Sequence, residues 1–325
     1  MDEDDFLTNR ILERHVMKKR YLMSVILLVM ALFLSSLSSC TKTKAVFKKM
    51  VPKSVVKKMR PTPDLKKRVM VMPLIEHAGL GEEAGAFVTS TFLGVLKKSS
   101  HILIYESEKG TVASSKKKLT GLGVVVPDHK LIKKADDLGM HAIITGIVNP
   151  VETNTKKAGI WPFRKYHKTY EISAVINVID VMSQTLLLTQ LESEKESVSS
   201  KEIERTNEKG LILELVRDLL PGILKRQASV VSKTVSKLPW TGKVLAAEDE
   251  HIKINGGKDV GLRTGVYFSV HNRGEAISSG GGKVLGLLGD KTGEVKVIAV
   301  EEDHSVAVTV VGGPFKKGQI VKMDT

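Results

Sequence analysis

Val69-Met-Val-Met-Pro-Leu-Ile75 is a run of seven residues with no polar side chain. Such a run, without polar alternation, reads as a strand buried on both faces, the pattern of a sheet with helices packed on it. Outward from it, Ala84, Val88, Thr91, Phe92, Val95 and Leu96 recur at helical spacing, with Glu82 and Glu83 in the first turn, where the helix dipole favours acids. Ile102-Leu-Ile-Tyr105 is a second short strand. After a connection rich in Lys, Ser and Gly, Asp128 can cap a helix carrying Leu131, Ile132, Ala135 and Leu138 on one face and stopped by Gly139. Ala142-Ile-Ile-Thr-Gly-Ile-Val148 is a third strand, and 169–181 and 185–191 are two more, joined by Met182-Ser183-Gln184 as a hairpin. Residues 211–236, broken near Pro221-Gly222, supply closing helices. The order β-α-β-α-β-β-β-α predicts an α+β (α/β) mixed-sheet domain over 68–236.

From Trp240 the pattern changes. Runs at 242–247, 251–254, 266–270, 283–287, 293–300, 305–311 and 319–322 alternate with Gly256-Gly257, Asn272, Gly280-Gly281-Gly282, Asp303 and Gly312-Gly313. Short strands at this spacing, with no helix signal, predict a small all-β barrel or sandwich over 237–325.

Upstream, Lys18-Lys19-Arg20 precedes an uncharged apolar run of about 14 residues from Tyr21 to Leu34, followed by small residues, the layout of a secretory signal peptide. A membrane-spanning helix needs roughly 20 such residues. The run closes on Leu37-Ser38-Ser39-Cys40, which resembles the lipobox of bacterial lipoproteins. Cys40 is the single cysteine of the chain, so no internal disulfide forms. The resemblance implies a leader over 1–39, cleavage before Cys40, a diacylglyceryl group on its thiol and an acylated new amino group, a multi-chain anchor that holds far more firmly than one chain. An ordinary signal peptide or an uncleaved short anchor is the other reading. Thr41, where an aspartate would imply inner-membrane retention, points by the family rule to the periplasmic face of the outer membrane. The acidic opening Asp2, Glu3, Asp4 and Asp5 is unlike a signal peptide's start, and Met17 is the better initiator.

The chain has 325 residues, with 50 Lys+Arg against 36 Asp+Glu for a formal charge of +14. Much of the excess lies in 40–67, where Lys42, Lys44, Lys48, Lys49, Lys53, Lys57, Lys58, Arg60, Lys66 and Lys67 face one acid, Asp64, among Pro52, Pro61 and Pro63. This reads as an extended basic tether. Cations beside a lipid anchor favour an anionic surface by up to about 1 kcal/mol each; a plain solvated linker is the other reading. An exported protein does not meet nucleic acid, the usual partner of such a charge. With 42% hydrophobic and 26% charged residues the remainder is that of a folded protein.

Two stretches resemble known families. The segments 68–74, 135–146 and 175–185 look like the domain shared by curli-secretion lipoproteins, penicillin-binding-protein activator lipoproteins and the amino-terminal domain of the Tol translocation β-propeller protein. The tail, through Gly242-Lys-Val-Leu, Ile252-Lys-Ile-Asn-Gly-Gly257, Gly261-Leu-Arg-Thr-Gly-Val-Tyr-Phe-Ser-Val270 and Gly318-Gln-Ile-Val321, resembles the carboxy-terminal domain of flagellar assembly protein T. That family pairs the two kinds of domain in this order. It also has an amino-terminal domain that this chain lacks, and it is freely periplasmic.

No residue pattern carries catalysis. Gly79-Leu-Gly81-Glu-Glu-Ala-Gly85 places its third glycine one residue late for a dinucleotide fingerprint, and Glu76, Glu82 and Glu83 would oppose a pyrophosphate, so it reads as a tight strand-to-helix turn. His77, His101, His141 and His251 show no metal-ligand spacing. No nucleophile elbow and no paired carboxylates stand out. The expectation is therefore no catalytic residue, no metal and no cofactor beyond the lipid on Cys40. Residues 156–170 gather Trp161, Phe163, Tyr166 and Tyr170 among five cations in a chain with 5% aromatics. Trp161, Phe163, Arg164 and Tyr166 are the candidate partner or membrane contact, since these types concentrate in interface hot spots and at headgroup level; an aromatic hairpin folded onto its own sheet is the alternative. The expected function is a non-enzymatic, lipid-anchored envelope protein that docks to or organises an assembly, by resemblance the flagellar basal body, with homo-oligomerisation open. The alternatives are a peptidoglycan-synthase regulator and a curli-like secretion pore. The pore needs alternating hairpins that 107–127 and 153–169 do not show.

Overall fold

A computed structural model describes residues 63–78, 81–107, 127–160, 162, 165–199, 203, 207–248, 250–275, 277–278 and 284–323. Strand β1 (Lys67–Val71) lies between β3 (Ile102–Glu106) and β4 (Ala142–Val148) and runs parallel to both. The apolar run that begins at Val69 is thus not one strand. It breaks at Met72–Leu74, where Pro73 offers no ladder donor, and resumes as β2 (Ile75–Glu76), which pairs with the far end of β4. Helix α1 (Glu82–Leu96) connects β2 to β3, and α2 (His129–Asp137) connects β3 to β4. Asp128 caps α2 as the sequence predicts, accepting from the Lys130 N–H.

The rest of the sheet is antiparallel. β4 pairs with the base of β6 (Lys165–Asp180), from Ala142 opposite Asp180 to Val148 opposite Ala174. After 149–151 the same side of β6 is taken up by β5 (Glu152–Ala158), from Glu152 opposite Glu171 to Ala158 opposite Lys165. β7 (Leu186–Ser199) lines the other side of β6 over nearly its whole length. The predicted hairpin turn is closed by Asp180 N–H donating to the Thr185 carbonyl at 2.9 Å. At about 3.3 Å per residue the 16-residue β6 spans roughly 50 Å, so the β5–β6–β7 ribbon runs on past the end of β1 and β3.

One face of the sheet is covered by α1 and by α3 (Glu208–Ser236), which share a core with Val69, Val71, Ile144, Ile172, Ile176 and Val178. The other face carries α2 over Met70, Met72, Ile143 and Val181. The closing segment is a single 29-residue helix, not two: Pro221 sits inside α3 without breaking it, flanked by buried Leu220, Ile223 and Leu224.

The tail is a closed barrel. β8 (Thr241–Glu248), β9 (His251–Ile254), β10 (Tyr267–Arg273), β13 (Leu288–Val300), β14 (Ser305–Gly312) and β15 (Ile320–Lys322) follow the order β10-β13-β14-β9-β8-β15, with β15 pairing back to β10. Closure removes the edges of this sheet. A small hairpin, β11 (Ile277–Ser278) with β12 (Val284–Leu285), stands off the barrel, and one 3-10 turn at Lys258–Val260 is the helical piece the sequence did not signal. The interior is filled by Trp240, Ile252, Ile254, Phe268, Val270, Val295, Val297 and Val321, and also by Leu65 from the chain ahead of β1, which is 0% exposed. The end of the basic stretch is therefore inside the fold, and residues 61–325 form one compact unit.

Candidate functional site: a polar joint and two open surfaces

The sheet lobe and the barrel meet at a joint built from the entry of β1. Lys66 N–H donates to the Val260 carbonyl at 2.9 Å, drawing the chain along the barrel, and Leu65 enters it. The next side chains are polar and buried. Arg68 donates from Nη2 to Asp259 Oδ2 at 2.8 Å and from Nη1 to the Asn255 carbonyl. Lys67 donates to the Leu65 carbonyl at 3.0 Å, and burial lowers its pKa, partly offset by Asp64. His141, immediately ahead of β4, receives the Arg68 N–H on Nδ1 at 3.1 Å and the Thr241 N–H on Nε2 at 3.2 Å, so one ring touches both lobes. A neutral imidazole has one bare nitrogen, so only one of these amides finds a full acceptor. Burial first, then the charges of Lys67 and Arg68, push the His141 pKa down to about 3. Asp136 on α2 adds ion pairs to Lys243 of β8, at 3.0 Å, and to Arg273 of β10.

Trp240 closes the joint. Its indole lies 5.2 Å from Phe268 and 6.0 Å from His141, centroid to centroid. A Cβ on Gly242 or Gly256 would stand 2.7 Å from that indole. Two of the glycines that carry the tail's resemblance are thus present to let a tryptophan pack. A cavity of about 30 Å³, bordered by His141, Asp180, Met182, Leu238, Pro239 and Thr241, has room for about one water. Among the described residues no group of three His, Cys, Asp or Glu side chains could hold a metal. No helix among them is long and apolar enough to cross a membrane. The joint holds the two lobes together.

The open surfaces lie on the ribbon. Among the described strands β7 pairs on one side only, over 14 residues. Its residues turned to α3 are engaged: Gln190 and Glu192 approach Gln227 and Arg226, and Glu194 pairs with Arg226 at 2.5 Å. The other side of the strand shows Leu187 and, 62% exposed, Leu191, with Leu186 exposed at its start. Beside the turn that begins β7, the Gly286 N–H donates to the Ser183 carbonyl at 3.1 Å, bringing up the β11–β12 hairpin with exposed Ile277, Leu285 and Leu287.

The second surface is the end of the ribbon. Within residues 156–170, Lys156, Lys157 and Ala158 belong to β5, and Lys165 to Tyr170 to β6. Every described side chain of β5 is exposed. Tyr166 is 50% exposed with Lys157 Nζ 5.1 Å from its ring, and Ile160 stands 85% exposed in the turn. Tyr170 is no part of this surface; it is a core residue, 0% exposed. Trp161, Phe163 and Arg164 lie outside the described residues, as do Leu37, Ser38, Ser39 and Cys40. The joint has no local signal in the sequence: Arg68 and Asp259, which pair across it, are 191 positions apart.

No family model matches the chain, and no curated protein matches it. Solved structures do. The hypothetical protein CT253 from Chlamydia trachomatis is 15% identical, covering 52% of this chain and 98% of its own, with a TM-score of 0.34. Lipoprotein GNA1162 from Neisseria meningitidis is 13% identical over 48% of this chain and 99% of its own, with a TM-score of 0.26. A PelC dodecamer from Paraburkholderia phytofirmans gives 12%, 55%, 94% and 0.29. Each covers about half of this chain. The flagellar resemblance has no family match behind it.

Proposed function

We propose that the protein is a non-enzymatic, lipid-anchored adaptor of the bacterial envelope, held by Cys40 at the periplasmic face of the outer membrane, and that it docks to a protein assembly through β7. The observation that carries this is the 14-residue strand with one open side among the described strands and Leu186, Leu187 and Leu191 exposed along it. An unpaired edge offers a row of backbone donors and acceptors, which an extended strand of a partner completes, while exposed apolar side chains beside it supply the buried area. The lipobox resemblance supplies the anchor, and the body joined by Arg68 and His141 supplies a stiff support.

In-cell crosslinking followed by recovery of the lipidated protein tests this, with Leu191→Lys beside wild type. Leu191 is exposed, so the variant folds with stability within about 0.5 kcal/mol of wild type. Recovery of basal-body ring proteins that is lost in the variant identifies a flagellar adaptor. Recovery of cell-wall synthases identifies a regulator of that machinery, and recovery of the protein alone as a ring identifies a homo-oligomer. Identical partners for wild type and variant remove β7 from the reading, and normal maturation when lipoprotein processing is blocked removes the anchor.

A further inference from the structure

The far end of the ribbon is basic. Between Thr153 and Tyr170 the sequence has no acidic residue and carries Lys156, Lys157, Arg164, Lys165 and Lys168. Within that stretch Lys156 and Lys157 are exposed on β5, a strand that pairs with β6 alone among the described strands. Lys168, nearer the body, pairs with Glu208 of α3. Ile160 projects at the turn, and Tyr166 lies beneath Lys157. The tip is reached by a ribbon that outruns its own sheet, so it is the point of the sheet lobe farthest along β6 from the joint.

We propose that this tip is a contact for an anionic phospholipid surface. The lysines meet the headgroup phosphates, and Ile160 and Tyr166 sit at headgroup level, one end apolar and the other wet. Charge complementarity selects the partner: a hairpin with cations and no acid between Thr153 and Tyr170 is attracted by a negative leaflet, and an exposed isoleucine gains from the interface what it loses in water. The contact is separate from β7 and independent of which protein β7 binds.

The test uses the full mature chain with Cys40→Ser, so that acyl chains do not dominate, and vesicles of phosphatidylcholine alone or with one quarter phosphatidylglycerol. Trp161 is the reporter, being one of two tryptophans, with Trp240 buried in the barrel. Binding to the anionic vesicles only, weakened by salt and accompanied by a blue shift of Trp161 emission, is the expected result. Lys156→Gln with Lys157→Gln lowers the affinity about fivefold per charge removed. Lys316→Gln with Lys317→Gln removes the same charge from an exposed barrel loop and leaves affinity unchanged. Equal weakening by both pairs would mean adsorption by net charge, binding without a Trp161 shift would mean contact through the basic tether alone, and equal binding to neutral vesicles would mean no headgroup recognition; each overturns the proposal. A failed β7 crosslink with intact vesicle binding would sink the adaptor and leave this contact standing.

Discussion

His141 answers to two backbone amides that reach it from 73 and 100 positions away, and its ring is neutral because charge is expelled from the joint. In the unfolded chain the same imidazole takes up a proton below about pH 6.5. The unfolded state therefore binds more protons than the folded one between pH 6.5 and about 3, so this group makes stability fall as the pH is lowered across that window. Wild type is expected to lose up to about 1 kcal/mol per pH unit there through His141, read as urea midpoints from pH 7 to 4. His141→Gln is less stable at pH 7 and shows a shallower acid limb. None of this is legible locally, because a histidine after Met140 looks the same whether it is buried or not. Gly242 and Gly256 are the opposite case: the sequence marks both, but only the indole of Trp240 between them says why.

The elements themselves were mostly readable, and the exceptions share a cause. β4 and β9 fall where their apolar patterns put them. β5, Glu-Thr-Asn-Thr-Lys-Lys-Ala, is polar on both sides and carries no period; it is a strand because β6 offers it a register, Glu152 to Glu171 onward. Pro221 reads as a break, yet α3 continues through it because Leu220, Ile223 and Leu224 are anchored in the core on either side. Tertiary packing overrides local preference in both. Proline here removes the N–H that would bond the Arg217 carbonyl and crowds that carbonyl, at about 3 kcal/mol in a free helix interior. Part of this is offset because proline stiffens the unfolded chain by up to about 1 kcal/mol. Pro221→Ala is thus expected to stabilise the protein by about 2–3 kcal/mol, seen as a raised midpoint in denaturant at unchanged slope.

At the scale of the molecule, the sequence shows an α/β lobe and a β-barrel in the right order but draws the line between tether and body too late. Leu65 stands in a proline-flanked basic run, where nothing in composition separates it from linker, and it is nonetheless a core residue of a barrel whose first strand begins at Thr241. Leu65→Ala is expected to cost about 2–5 kcal/mol, the usual range for a buried leucine. A fragment holding only 237–325 lacks this side chain and is expected to show poor amide dispersion by NMR, recovering when a peptide spanning 61–70 is added.

The way the chain enters the fold also sets how the body bears load. β1 lies between β3 and β4, and both neighbours run parallel to it. A pull on the chain ahead of Pro63 therefore acts along these ladders in shear, straining their hydrogen bonds together instead of peeling them one at a time. Leu65 and the Lys66 amide take the strain first, and they pass it to the barrel before the sheet feels it. A barrel encoded at the far end of the chain thus serves as the strain relief for its beginning.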